Sequence, residues 1–397
     1  MKEVFRMTQT KKDYLILKLI LGVIVGILVG LYANDTHIQI IMTVKQIIGQ
    51  VIFYTIPLII VGFITPAIAG LKDNANKMLF GALGISYLSS IGAAFLAMFS
   101  GYSIIPRLNI VTDAQGLKEL PKELLFNLEI PPLFPVMTAL FTAILMGLAI
   151  IWTNSQTMDQ LFKEFNNMMM AIVKRIIIPI LPIFIATTFA GLAYEGGIIH
   201  QLPLFLKVLL IVIIGHYIWL AFLYAIGALI SKTNPFQVLK HYGPAYMTAL
   251  GTMSSAATLP VSLTCARKAK TLDPKVTDFA IPIGATIHLC GSVLTETFFV
   301  MTISKMLYGQ MPPLSSMILF ILLLGIFAIG APGIPGGTVM ASLGLITSIL
   351  LFDKTGVALM LTIFALQDSF GTACNVTGDG AIALMLTGLY TNHNGKN

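Results

Sequence analysis

The stretch Asp368 to Asp379, DSFGTACNVTGD, sets two carboxylates and an Asn inside an apolar run that begins near Val357 and continues past Leu386. Wound as a helix, it places Asp368, Thr372, Asn375 and Asp379 at i, i+4, i+7 and i+11, so that four polar side chains form one narrow stripe. An ionised carboxylate facing hydrocarbon costs at least about 2.5–3.5 kcal/mol. No Lys or Arg stands in the run to pair with either acid. A stripe of this kind lines a binding site or an ion path, and two capped structural acids are the blander alternative.

The rest of the chain supplies the membrane context. Of 397 residues, 56% are hydrophobic and 10% charged. A soluble domain usually carries about 25% charged residues, so the composition indicates an all-α polytopic membrane protein. The formal net charge of +7 comes from basic residues in short loops between apolar runs, without interleaved aromatics. Positive loops on the cytoplasmic side explain them better than nucleic acid, and no nucleic-acid partner is expected. The three cysteines, Cys265, Cys290 and Cys374, have no metal-site spacing and do not form a disulfide scaffold.

Apolar segments read as spans at Tyr14 to Tyr32, Ile38 to Ala69, Leu79 to Phe99, Val136 to Trp152, Met168 to Tyr194 and Leu204 to Ile230. The basic stretch before Tyr14 and the absence of a cleavage site make the first of these a transmembrane helix and not a signal peptide. Charges nearly balance in the Gly101 to Pro135 loop (Arg107, Asp113, Lys118, Glu119, Lys122, Glu123, Glu129), which places it outside. Lys174 and Arg175 read as topology signals.

Pro235 to Lys270 breaks the pattern. Basic residues flank it on both sides (Lys232, Lys240 and His241; Arg267, Lys268, Lys270 and Lys275), and its middle reads GTMSSAATLP. A single crossing would leave one basic cluster outside, whereas a re-entrant helical hairpin keeps both inside. A second interrupted segment, Pro313 to Leu350, carries GAPGIPGG from Gly330 to Gly337. Two Gly/Pro-broken segments in corresponding places point to a midplane site between inverted repeats, each a hairpin plus a spanning helix. Between them, Asp278 to Leu307 contains IPIGATIHLCGSVLTETFF, with a breakable polar centre at Gly284, Thr286, His288, Gly291 and Ser292 and a third intramembrane acid, Glu296. Carbonyls freed at such a break suit hard cations, and an acid away from water can carry a proton when its neutral form is the one that moves.

With these residues assembled, the C-terminal half resembles the dicarboxylate/amino acid:cation symporter family, the one that includes glutamate transporters. SSAATLP (Ser254 to Pro260) resembles its serine-rich first hairpin tip, GATIHLCGS (Gly284 to Ser292) its broken seventh helix, GIPGG (Gly333 to Gly337) its second tip, and DSFGTACNVTGD its eighth helix. Four motifs in order over about 150 residues make chance similarity remote. The resemblance implies eight transmembrane helices, two re-entrant hairpins (about 235–270 and 313–350) and a homotrimeric scaffold (about 14–69 and 136–194). It also implies a transport subdomain (about 77–99 and 204–391) that moves as an elevator, with the second hairpin as gate. By the same resemblance Asp368 holds a substrate amino group, and Thr372 and the tip around Ser255 hold its carboxylate. Ile334 and Gly336 join the substrate site, Asn375 and Asp379 belong to a sodium site with Gly284, Thr286 and His288, and Glu296 matches the proton-carrying position.

The departures shape the functional expectation. Where acidic-substrate members of the family carry Arg, this chain has Gly371, so no guanidinium clamps a side-chain carboxylate, and Gly371 leaves room for a bulkier side chain. His288 and Cys290 replace an Asn and an Asp, which weakens one sodium site and tilts coupling toward protons carried by Glu296, with His288 as a second candidate relay. The expectation is symport of a small neutral amino acid, driven by protons, sodium or both, without a cofactor. The location is the plasma (inner) membrane, with both termini cytoplasmic. The alternatives are an acidic amino acid or dicarboxylate symporter with altered cation sites, and an ion channel. An intramembrane aspartyl protease is excluded by spacing, since Asp368 and Asp379 lie about 16 Å apart along one helix and cannot share a proton.

Overall fold

The computed structural model describes residues 15–70, 77–108, 120–121, 124–196, 198–331 and 333–391, and their regular elements are all helical. Tyr14, most charges of the Gly101 to Pro135 loop and both termini lie outside the described residues, as do the expectations attached to them. In chain order come α1 (Leu15–Tyr32), α2 (Asp35–Ala69), α3 (Lys77–Ile104) and α4 (Val136–Thr153). Helix α5 (Gln156–Ile172) runs through a π-helical stretch into α6 (Ile178–Tyr194), followed by α7 (Ile198–Ser231) and the single turn α8 (Phe236–Leu239). Then follow α9 (Gly243–Thr252), α10 (Ser255–Arg267), α11 (Pro274–Ile287), α12 (Cys290–Tyr308), α13 (Leu314–Gly330), α14 (Gly337–Ser348) and α15 (Lys354–Thr391). Six helical stretches among the described residues are long and apolar enough to cross a membrane, and four apolar helices are shorter.

Local chemistry accounts for the ends and breaks. Asn34 caps α2 by accepting from the His37 N–H, and Ser155 caps α5 by accepting from the Met158 N–H. The fifth span starts at Gln156, twelve residues before the apolar run at Met168, because α5 begins as an amphipathic helix whose polar face hides it from a hydropathy reading. Lys174 and Arg175 sit exposed in the π-helical stretch Val173–Ile177, directly before Pro179, which has no N–H to give the α-helical ladder.

Both expected interruptions are present. Helix α9 ends at Met253, whose φ of 52° is left-handed, and α10 restarts at Ser255. Their 10 and 13 residues give arms of about 15 and 20 Å, too short to cross a hydrocarbon core of about 30 Å singly. Helices α13 and α14 form the second such pair, with α9 packed on α10 and α13 on α14. The expected break between α11 and α12 falls at His288 and Leu289.

Two packing groups follow from contact preferences. Helix α1 lies along α6, and α2 packs on α4, α5 and α6. Gly22, Gly26 and Gly30 make the α1–α6 approach close: a Cβ at Gly22 would stand 2.6 Å from the Pro182 carbonyl oxygen, and the other two would meet the carbonyls of Ala186 and Ala190. Small residues at four-residue spacing permit this in a membrane, where close van der Waals packing replaces the hydrophobic drive. In the second group α12 lies against α3 and α15, and α15 also contacts α7, α9 and α11. Helix α12 is buried almost all round from Cys290 to Ser304, which places the break and the polar stripe of α15 at the centre of that group.

Candidate substrate and cation site

Asp368, Thr372, Asn375 and Asp379 are all buried on one continuous helix, so the stripe expected from the sequence exists. The two hairpin tips close over its first half. Ser254 caps α10 by accepting from the Ala257 N–H at 3.1 Å, and its own hydroxyl donates to the Gly333 carbonyl of the second tip at 2.5 Å. The Ala256 N–H donates to the same carbonyl at 3.3 Å. Gly333 is needed there, because a Cβ would stand 3.1 Å from the Ala285 carbonyl oxygen and 3.3 Å from the Ala256 nitrogen. The second tip is held from the other side. Gly336, at φ +72°, aims its N–H at Asp368 Oδ2 at 2.7 Å. That conformation favours glycine, which supplies the donor without a Cβ penalty.

Under the tips remains a cavity of about 10 Å³. Ser255, Ile334, Asp368, Thr372 and Asn375 line it, as expected from the sequence, together with Ser292 of the break and Gly333 of the second tip, and with Met253, Leu289 and Thr338, to which the sequence assigned no role. Residues at a chain break, such as Met253 and Leu289, carry no polar signal of their own. A cavity of this size holds about one water, so the arrangement is closed. A larger cavity of about 550 Å³ between α7 and α8–α9 is lined by Tyr217, Tyr224, Phe236, Tyr242 and Tyr246 and contains no acid and no tip residue. The acid and the tip residues therefore gather at the small one.

Further along α15, Asn375 caps the second half of the broken helix, α12. Its Oδ1 accepts from the N–H groups of Gly291 and Ser292 at 2.7 and 3.2 Å, and its Nδ2 donates to Ser292 Oγ at 2.9 Å. Two of the orphan donors at the start of α12 are thereby satisfied. Asp379 Oδ1 lies 3.0 Å from His288 Nδ1, and His288 Nε2 lies 2.8 Å from Ser89 Oγ on α3. Gly284 faces this pair, since a Cβ there would stand 2.7 Å from Asp379 Oδ1. Ser89 was invisible to sequence reasoning because 199 residues separate it from His288.

Glu296 forms a separate buried centre on α12. Its Oε1 is hydrogen-bonded to the Ser342 hydroxyl of α14, and its Oε2 has no partner. Two expected residues are not brought in. Thr286 is exposed and donates its hydroxyl back to the Ile283 carbonyl at 2.7 Å, because its position on α11 faces away from Asp379. Gly371 does not line the cavity. A Cβ there would meet Ser292 at 3.4 Å, an ordinary contact, so the position faces α12 and not the cavity.

Comparison with known proteins bears on the family. The model of the Sodium:dicarboxylate symporter family matches residues 15–389. A putative sodium-dependent excitatory amino acid transporter of Caenorhabditis elegans is 30% identical over 241 residues, 58% of this chain and 46% of the relative. Excitatory amino acid transporter 2 of Mus musculus is 31% identical over 233 residues (55% and 39%), and excitatory amino acid transporter 3 of Bos taurus 31% identical over 240 (57% and 43%). The matched regions span less than half the length of these curated relatives. With nearly all its described helices inside the matched range, the chain belongs to the sodium:dicarboxylate symporter family and is a multi-pass membrane protein.

Proposed function

We propose that this protein is a secondary active symporter of a small neutral amino acid, working by elevator-type alternating access with coupling to a cation gradient. The observation that carries the reading is the closed centre at Asp368: a buried carboxylate faces a cavity whose lid is the second hairpin tip. An α-ammonium group needs an anionic acceptor, and Asp368 supplies one. Hydroxyls of Thr372 and Ser255 and N–H groups of the tips suit the α-carboxylate. No Arg or Lys lines the cavity, so a second, side-chain carboxylate would enter without a counter-charge.

The Gly336 N–H holds one oxygen of Asp368, so an arriving ammonium competes with the tip for that carboxylate. Loading then couples directly to the position of the gate. The helix arrangement supports eight spans and two re-entrant hairpins: the six long helices plus α1 and α4 cross, and α9–α10 and α13–α14 turn back. The separate packing of α1, α2 and α4–α6 supports a scaffold on which α3 and α7–α15 move as the transport unit. Homotrimer assembly rests on the family.

Glu296 is the proposed proton carrier. Ser342 has one hydroxyl proton and two acceptors beside it, Glu296 Oε1 and the Val339 carbonyl. A proton on Glu296 lets the carboxyl donate to Ser342 while Ser342 donates to Val339, so the protonation state is felt on α14, the inner arm of the second hairpin. A substrate panel tests the proposal: competition binding to the purified protein by serine, alanine, threonine, aspartate, glutamate and succinate. Neutral amino acids are expected to bind at least tenfold tighter than aspartate. Preference for aspartate would overturn the reading of Gly371, and preference for succinate, which lacks an ammonium, would overturn the assignment of Asp368.

A further inference from the structure

The family name carries sodium, and the residues around Asp379 can be tested for their fit to that ion. Sodium is a hard cation that needs several oxygens converging on one centre with lone pairs to give. At this centre the oxygens are committed to protein donors. Asp379 Oδ1 is bonded to His288 Nδ1 at 3.0 Å. The Gly284 carbonyl accepts from the His288 N–H at 2.9 Å. Asn375 Oδ1 accepts from two N–H groups at the start of α12. Ser89 Oγ is bonded to His288 Nε2 at 2.8 Å and approached by Trp219 Nε1 at 3.4 Å. Of these groups only Asp379 keeps an oxygen without a partner, its buried Oδ2, and one oxygen is not a cage.

The ring of His288 stands between the carboxylate and the α3 hydroxyl and bonds to both. Gly378 makes room for it, since a Cβ there would stand 2.8 Å from His288 Cε1. Cys290, buried and free, offers no hard ligand in its place. The residues present do not fit sodium at this centre. We propose that the imidazole of His288 is a tethered replacement for a cation at Asp379, so that sodium does not enter this centre and His288 sets the ion selectivity of the protein. The coupling sense of this statement rests on the transporter reading; its binding sense does not.

The test is sodium binding to the purified full chain in detergent, read by melting temperature and by tracer sodium, with choline replacing sodium at constant ionic strength. Four proteins are compared: wild type, Asp379→Asn, His288→Ala and the His288→Ala/Asp379→Asn double variant. Wild type and Asp379→Asn are expected to share the same sodium response. His288→Ala is expected to gain a saturable response, on the order of 2 °C at tenfold excess over Kd, which the double variant loses. If His288→Ala does not fold, His288→Asn replaces it, because the amide leaves a carbonyl oxygen in the vacated space. A wild-type sodium response that Asp379→Asn abolishes would overturn the proposal, and so would folded His288 variants that gain none. Binding is measured without transport, so the substrate panel can fail while this result stands, and the reverse.

Discussion

At the scale of single residues, three buried acids meet three different neighbours, and the proposed function divides recognition and coupling among them. Asp368 touches the gate, Asp379 touches an imidazole, and Glu296 touches the inner arm of the second hairpin. Removing the charge of Asp368 removes the partner for a substrate ammonium in a buried site, and such losses run to about 2–5 kcal/mol. Asp368→Asn is therefore expected to weaken amino acid binding about 30-fold or more, measured by calorimetric titration; unchanged affinity would remove Asp368 from the site. Gln at position 296 mimics the neutral carboxyl permanently. If Glu296 carries the proton, wild-type uptake rises as the outside is acidified under an inward proton gradient, and Glu296→Gln flattens that profile. A steep profile in the variant would place the proton elsewhere. The polar stripe was legible from spacing alone, because helical periodicity dictates which residues share a face. Thr286 was misjudged for the same reason in reverse: two residues before a break, its face was set by where α11 stops and not by the motif around it.

At the scale of elements, the breaks are what the structure is built from. Composition announced them, since GTMSSAATLP and GAPGIPGG combine small, polar and Pro residues that end helices within apolar runs. What composition did not announce is that the two tips bond to each other through Ser254 and Gly333, a contact between positions 79 residues apart. Ser254→Ala removes both the cap of α10 and the tip-to-tip bond. It is expected to cost about 1–2 kcal/mol of stability and to loosen the first tip, read as faster hydrogen exchange across residues 252–258. Unaltered exchange there would show that the bond does not hold the tips together. Gly336→Ala strains a backbone at φ +72° by about 1 kcal/mol, and the position of its N–H on Asp368 makes that strain a gating perturbation. Labels placed on α10 and α14 are expected to report a wider tip distance in the apo state; an unchanged distance distribution would argue that the Asp368 bond does not close the gate. Asn375 shows the limit of motif reading. Its residue type suits a cation, but its oxygen is occupied in capping α12, which only the three-dimensional arrangement reveals.

At the scale of the whole molecule, the helices pack as one group joined through glycines and carbonyls and another around the break of α11 and α12. The first group rests on Gly22, Gly26 and Gly30, a small-residue stripe whose spacing is visible in the sequence once its partner helix is known. Gly26→Val would force α1 away from Ala186, and the expected result is loss of scaffold stability, seen as a lower melting temperature, while the affinity of the folded fraction for amino acid is retained. Lost affinity in a folded variant would instead mean that the two groups do not act separately. The all-helical membrane architecture and the helix breaks were legible because hydrocarbon thickness and backbone satisfaction leave few alternatives. The amphipathic opening of α5 was not, since half its surface is polar. The central claim is gradient-driven accumulation of a neutral amino acid, and the most direct measurement is uptake of labelled serine, alanine and aspartate into proteoliposomes under separately imposed proton and sodium gradients. Saturable accumulation of serine or alanine driven by an inward proton gradient without sodium is the expected result. Strict dependence on sodium, or a sustained current without saturable uptake, would contradict it.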